Sequence, residues 1–199
     1  MARTRAFDFE EKRRGILASA AAVFGENGME KASMSQIAQH SNVSKALLYH
    51  YYPSKDDLIL AIIMGHLTSL EAAIDEANDA TLPPELRLRR LVGAVLENYR
   101  GADNEHKVQL NAASALRDEQ KAEIVAVERR IVGRFSTILR EINPALETPE
   151  RSLLTPITMS LFGMMNWVYM WFKEGGRITR EDYADVATTL VLEGLKAFR

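Results

Sequence analysis

Residues 33–58 read Ser33-Met34-Ser35-Gln36-Ile37-Ala38-Gln39-His40-Ser41-Asn42-Val43-Ser44-Lys45-Ala46-Leu47-Leu48-Tyr49-His50-Tyr51-Tyr52-Pro53-Ser54-Lys55-Asp56-Asp57-Leu58. Ser33 with Gln36 three residues on has the spacing of a capping box, which predicts a short helix with Ile37 and Ala38 facing inward. Ser41-Asn42 is a turn signal. Ser44 can cap a second short helix, from Lys45 to about Tyr51, and Pro53 stops it. Ser54 caps the next helix, with Asp56 and Asp57 in its first turn, where the helix dipole favours acids. Upstream, Ile16, Leu17, Ala20, Val23 and Phe24 recur at helical spacing, and Gly28 supplies a stop. A longer helix bracing two short capped ones across a tight turn is the helix-turn-helix arrangement, whose second short helix enters the DNA major groove.

The side chains suit that use. Lys45, at the start of the second short helix, can reach a phosphate or a guanine edge. Tyr49, His50 and Tyr51 carry polar tips on rigid rings, and three consecutive helical positions cannot all point inward. Lys55 opens the fourth helix, where free backbone N–H groups suit a phosphate. Leu48 and Tyr52, four apart, should pack with Phe24 and Ile37.

Outward from this stretch the chain reads as helices, with no sustained period-2 alternation. The fourth helix runs through Leu58, Ile59, Ile62, Ile63, Leu67, Leu70 and Ile74 to the Pro83-Pro84 break. A fifth follows, with Leu88, Leu91, Val92, Val95, Leu96 and Tyr99. After the Gly101–Asn104 loop comes a short sixth. The seventh spans about Glu119–Ile142. The last two span about Ser152–Lys173 and Glu181–Phe198, and Thr179 with Asp182 boxes the ninth. The fold class is therefore all-α with about nine helices. A three-helix helix-turn-helix domain spans 1–55, and a helical ligand-binding and dimerisation domain spans 56–199.

Of the 199 residues, 25 are Lys or Arg, 27 are Asp or Glu, and none is cysteine. The absence of cysteine excludes a disulfide framework, a thiolate zinc site and a cysteine nucleophile, and it fits a cytoplasmic chain. The net charge of −2 hides an asymmetry. Residues 1–55 hold eight bases (Arg3, Arg5, Lys12, Arg13, Arg14, Lys31, Lys45, Lys55) against five acids, a net +3. The remaining 144 residues hold 17 bases against 22 acids, a net −5. A basic head on an acidic body points to a polyanion contact at one end. The longest apolar stretch, Leu161–Phe172, is too short to span a membrane, so no membrane partner is expected. Asp8, Glu10 and Glu11 argue against a signal peptide at the basic N-terminus.

Catalysis has no visible seat. The chain has no Gly-rich phosphate loop, His-Glu-x-x-His pair or nucleophile elbow. His40, His50, His66 and His106 are scattered, and Asp103-x-x-His106 stands on an apparent loop without partners. No enzyme, cofactor or metal is expected. The apolar run Leu161–Phe172 should be buried on both sides, one of them against a partner. The ninth helix offers Tyr183, Val186, Ala187, Leu190, Val191, Leu195 and Phe198, with Gly194 allowing close approach. A four-helix interface between two copies is expected through Leu161, Val168, Val186, Leu190 and Leu195. A helical homodimeric scaffold without a DNA role is the alternative reading.

The run from Ser33 to Leu58, with Ile16–Gly28 before it, closely resembles the N-terminal domain of the tetracycline-repressor (TetR) family. The resembling pattern is Val-Ser, then Leu-Tyr, an aromatic, and Lys-Asp-x-Leu at fixed offsets. The resemblance implies an all-helical homodimer whose heads bind a palindromic operator and whose bodies hold a small-molecule inducer. By position, the family's DNA contacts fall on Ser33, Ser35, Lys45, Ala46, Tyr49, His50, Tyr51 and Lys55. Asn42 stands where the family usually has Gly, and Asn tolerates the left-handed conformation. Ala46-Leu47 replaces the commoner Gly-Thr or Ala-Thr, which removes a hydroxyl from the reading face.

The order Asn166-Trp167, Tyr169, Trp171 resembles the family's branch that senses acyl-CoA thioesters in fatty-acid, phenylacetate and steroid breakdown. Arg117-Asp118-Glu119 and Glu128-Arg129-Arg130 resemble it more loosely. That resemblance implies an acyl- or aryl-CoA inducer. Leu96, Tyr99, Met164, Trp167 and Trp171 are then candidate walls, and Asn166 is available to a thioester carbonyl or amide. Arg117, Arg129, Arg130 and Arg177 are candidate bases for the nucleotide end.

Overall fold

A computed structural model describes residues 2–112, 115–149 and 151–198, with the side chains of 2–8 and 10 outside the description. Arg3 and Arg5 of the expected basic head, and the acids Asp8 and Glu10, therefore lie outside the described side chains. Among the described residues there are nine α-helices and no strands. They are α1 (Ala2–Asn27), α2 (Met34–His40), α3 (Lys45–Tyr51), α4 (Lys55–Ala77), α5 (Pro84–Asn98), α6 (Asp103–Asn111), α7 (Asp118–Ile142), α8 (Leu154–Asn166) and α9 (Arg180–Leu195).

The chain divides into two compact units, Met1–Leu67 with Ala102–Val125, and Thr68–Gly101 with Ala126–Arg199. The first holds α1–α3, the start of α4, α6 and the start of α7. In it α1 packs on α2 and α6, and α2 packs on α3. Its core includes Ile16, Ala20, Phe24, Ile37, Leu48, Tyr52, Leu58 and Ile59, all buried. Leu48 and Tyr52 thus take the inward positions that their spacing predicts. Gly25 of α1 lies so close to Asn104 of α6 that an added Cβ would meet the Asn104 amide oxygen at 2.5 Å. His66 and His106 are buried with ring centroids 5.7 Å apart. Asp103 and His106 therefore stand on α6 rather than on a loop, and His106 is a core residue.

In the second unit α5, α8 and α9 pack on one another. Phe135 and Phe162 meet edge-to-face with centroids 4.9 Å apart. Arg130 and Arg134 of α7 grip Glu71 and Asp75 of α4. Arg130 is bidentate on Glu71 at 2.8 and 2.9 Å, and Arg134 donates to Asp75 through Nη2 at 2.8 Å. The two arginines hold both carboxyls below the ordinary carboxylate range, chiefly by hydrogen bonding.

Two elements differ from expectation. The helix expected to run to Lys173 ends at Asn166 and gives way to a 3-10 turn at Val168–Met170. Aromatic and β-branched residues lose side-chain freedom in a helix, so Trp167-Val168-Tyr169 weakens it. Tyr183 then donates its hydroxyl to the Met164 carbonyl at 3.1 Å, satisfying a freed acceptor at the helix end. Hence Trp167 and Met170 stand exposed, and the segment to Phe172 is not an all-round buried helix. The other difference is α4. At 23 residues it is long and apolar enough to cross a membrane. Its Leu58, Ile59, Ile62, Ile63, Leu67, Leu70 and Ile74 are buried against the rest of the chain.

Candidate nucleic-acid interface

The helix-turn-helix is built by local hydrogen bonds. Ser33 accepts the Gln36 amide at 3.2 Å, and Gln36 returns its side-chain oxygen to the Ser33 amide at 2.9 Å. Asn42 sits at φ +52°, the only non-glycine in the left-handed region among the described residues. That conformation lets the Val43 amide donate back to the Ala38 carbonyl at 3.0 Å, closing the turn. Ser44 accepts the Leu47 amide at 3.1 Å and starts α3. Ser54 accepts the Asp57 amide at 3.1 Å and starts α4.

With Leu48 and Tyr52 turned inward, α3 presents Lys45, Ala46, Tyr49 and His50 to solvent. Tyr49 is 42% exposed, and the Lys45 ammonium lies 5.8 Å from the centre of its ring. Ser33 and Ser35 are exposed at the start of α2. Two expected contacts are placed otherwise. Tyr51 is half-buried, with its ring 4.9 Å from Phe9 and 6.3 Å from Tyr52. Lys55 turns back on the α1–α2 loop, donating to the Met29 carbonyl at 2.8 Å and more weakly to Ala32 at 3.4 Å and Glu30 at 3.5 Å. The loop leaves carbonyls without backbone partners, and a nearby ammonium satisfies them. Phe9 and Arg13, which supports Tyr52 through a 3.3 Å hydrogen bond, were not among the expected residues. Their signal was present, because Phe9, Arg13, Ile16 and Ala20 follow the spacing of one helix face.

Arg117 also belongs to this unit. It donates to Asp57 at 3.1 Å, and Gln120 donates to the same oxygen at 3.2 Å. It therefore braces the start of α4, and its guanidinium already faces a carboxylate. In the second unit Tyr99 donates its hydroxyl to the Asn166 side-chain oxygen at 2.9 Å, so that amide oxygen is engaged. Burial, with Glu128 nearby, pushes the Tyr99 phenol well above its ordinary range. Leu96 is buried and Met164 half-buried. Trp171 stacks edge-on to Tyr183 at 4.9 Å, while Trp167 is 58% exposed. Arg130 is occupied by Glu71, whereas Arg129 and Arg177 are exposed. Buried Arg180 was not expected. It donates to Glu174 at 2.6 Å and to the Leu96 carbonyl at 2.8 Å. An open groove of about 490 Å³ along α5 and α9 is lined by Leu86, Arg89, Arg90, Glu97 and Asp185, among others, and by none of the expected walls.

Of the expected interface residues, Leu161, Val168 and Leu195 are buried inside the subunit, because they fill the space between α8, α9 and their neighbours. They stand behind the outer face rather than on it. Val186 at 51% and Leu190 at 61% exposed do present an apolar surface on α9, as Met159 does on α8.

An exposed α3 face on a capped helix-turn-helix, with a separate helical body, defines the class of DNA-binding transcriptional regulators. The profile described as "Bacterial regulatory proteins, tetR family" matches residues 16–62. The profile described as "Tetracyclin repressor-like, C-terminal domain" matches residues 81–195. The chain belongs to the TetR family of DNA-binding transcriptional regulators. The HTH-type transcriptional activator FasR of Mycolicibacterium smegmatis is 34% identical over 88 residues, which is 44% of this chain and 40% of that protein, so this match spans less than half of FasR. The HTH-type transcriptional repressor KstR2 of Rhodococcus jostii is 28% identical, across 92% of this chain and 91% of that protein. Among solved structures, PfmR from Thermus thermophilus superposes with a TM-score of 0.78 at 28% identity, over 89% of this chain and 97% of that one. AibR in complex with isovaleryl coenzyme A and operator DNA superposes with a TM-score of 0.77 at 29% identity, over 90% of this chain and 97% of that one.

Proposed function

We propose that the chain is a repressor that binds a palindromic operator as a homodimer and leaves it when an acyl- or aryl-CoA thioester binds. The observation that carries the DNA part is the exposed row Lys45, Ala46, Tyr49 and His50 on α3, seated by buried Leu48. Ser35 adds a hydroxyl donor toward the backbone, while the Ser33 hydroxyl is already donated to the Gln36 side-chain oxygen at 3.0 Å. Residues 1–55 then read DNA, and 56–199 hold the effector and the partner. The apolar face of Met159, Val186 and Leu190 is the dimer contact. Two-fold heads require half-sites about 34–36 Å apart.

Repression is supported by the nearly full-length likeness to KstR2, and the effector class by AibR, whose structure holds isovaleryl coenzyme A. In this reading a thioester carbonyl takes over the Tyr99 hydroxyl from Asn166, and the Asn166 amide turns to the ligand. Arg129 and Arg177 meet the nucleotide phosphates. Coupling follows if the ligand favours a dimer whose heads are wrongly spaced, and DNA then weakens the ligand reciprocally. Gel shifts with genomic fragments test the first part, with an expected log–log salt slope of roughly −5 to −7 for the dimer. CoA thioesters beside their free acids test the second. Thioesters should release the DNA; release by free acids alone, or by neither, removes the effector class.

A further inference from the structure

We infer that Glu128 sets the chemical class of the effector: it bars a carboxylate from the Tyr99 hydroxyl and leaves that position to a neutral acyl carbonyl. This rests on the effector reading above. Tyr99 follows the last residue of α5, Asn166 ends α8, and Glu128 lies on α7, all three within the second unit. The buried Tyr99 hydroxyl donates to the neutral Asn166 amide oxygen at 2.9 Å. Ile131, Phe135 and Ile138, all buried, follow Glu128 at helical spacing, so its carboxylate stands on the inward stripe of α7. It is half-buried, while its neighbours Val125, Ala126, Arg129 and Arg130 take the exposed positions. A carboxylate on such a stripe gives up hydration that the outer face would have kept.

Burial first, and then the Glu128 charge, hold the Tyr99 phenol in its neutral form. Whatever disfavours a phenolate oxygen there also disfavours a carboxylate bound against it, through the same loss of water and the same like charge. A carbonyl oxygen accepts from the phenol without the charge penalty. A carboxylate would need a cation to offset that penalty, and the arginines of this unit face acids already. Arg100 donates to Glu97 at 2.7 Å and to Glu174 at 3.2 Å, Arg180 to Glu174 at 2.6 Å, and Arg130 to Glu71 at 2.8 Å. Arg129 turns outward, about 100° around the helix from Glu128. A free acid and its thioester share one acyl chain, so apolar walls cannot tell them apart, whereas a fixed negative charge can. Specificity of this kind comes from a repulsive element against the wrong ligand.

The test compares the full chain with Glu128→Gln, Tyr99→Phe and Glu123→Gln, the last removing an exposed acid of the same helix. Binding of isovaleryl-CoA and phenylacetyl-CoA, and of isovalerate and phenylacetate, is measured by titration calorimetry, with circular dichroism confirming the fold. The readout is the ratio of thioester to free-acid affinity, in which the nucleotide's contribution cancels between variants. Glu128→Gln should narrow that ratio roughly tenfold or more. Glu123→Gln should keep it. A merely structural role for Glu128 would move the melting temperature and leave the ratio alone. Tyr99→Phe should weaken the thioesters by roughly three- to tenfold. An unchanged ratio in Glu128→Gln, or free acids that still fail to bind it at millimolar concentration, overturns the role of Glu128 and leaves the effector reading standing. Thioesters that fail to bind the unaltered chain or to release its DNA overturn the effector reading, and this inference with it.

Discussion

Lys55 begins α4, where a helix N-terminus favours a phosphate, yet its ammonium faces three carbonyls of the α1–α2 loop. Lys55→Ala should therefore act on folding before it acts on DNA. The lost hydrogen bonds to a charged donor cost about 1–2 kcal/mol, measured by denaturant unfolding, with the salt slope of DNA binding unchanged. A slope that falls by one per subunit with stability intact would return Lys55 to the phosphates. His66 makes the second residue-scale prediction. Burial, then the neighbouring His106, lowers its pKa from 6.5 to about 4. The fold binds the neutral ring, so the unfolded chain takes up the proton first as pH falls. Stability contributed by His66 is full above the ordinary histidine range and is lost between about pH 6.5 and 4, up to roughly 3 kcal/mol. His66→Gln should flatten that part of a stability-against-pH curve. An equal acid sensitivity in the variant would assign the effect elsewhere. Neither point was legible from spacing, because Lys55 and Met29 are 26 positions apart and the two histidines 40.

At the scale of elements, the caps were fully legible. Ser33 with Gln36, Ser44, Ser54, and Thr179 with Asp182 all bond as their spacing requires. Such bonds join residues three apart, so sequence distance and spatial distance coincide. The turn is as local. Asn42 at φ +52° should accept Asn42→Gly with little change in melting temperature. Asn42→Val places a β-branched residue in the left-handed region and should cost about 1–2 kcal/mol and weaken DNA binding. A Val variant as stable as the parent would show that the turn relaxes. The end of α8 was not legible. The run Leu161–Phe172 reads as one apolar helix, but the hydroxyl of Tyr183, 19 positions beyond Met164, closes it early. The ladder of Arg130 and Arg134 on Glu71 and Asp75 has no local signal either, since its partners are 59 positions apart.

For the whole molecule, the packing units do not follow the chain as a simple cut after residue 55. Residues 56–67 and 102–125 pack with the head, so α4 and α7 each contribute to both units. The dimer is the property of the assembled molecule most open to test. Leu190→Glu puts a charge on the exposed apolar face of α9 and should shift sedimentation from dimer to monomer without unfolding the subunit, because Leu190 is 61% exposed. Leu195→Glu, at a buried position, should instead destabilise the subunit itself. A dimer that persists in the Leu190 variant would move the interface off α9. The sequence by itself determined the helical class, the helix order at the head, the capped turn and, apart from Tyr51, the outward row of α3. It did so because caps, turns and helical periodicity are set by neighbours a few residues apart. Only the tertiary structure decided where Lys55 and Arg117 point, where α8 stops, and which apolar residues face out. Those outcomes depend on partners 19 to 60 positions away, which meet only when the helices pack.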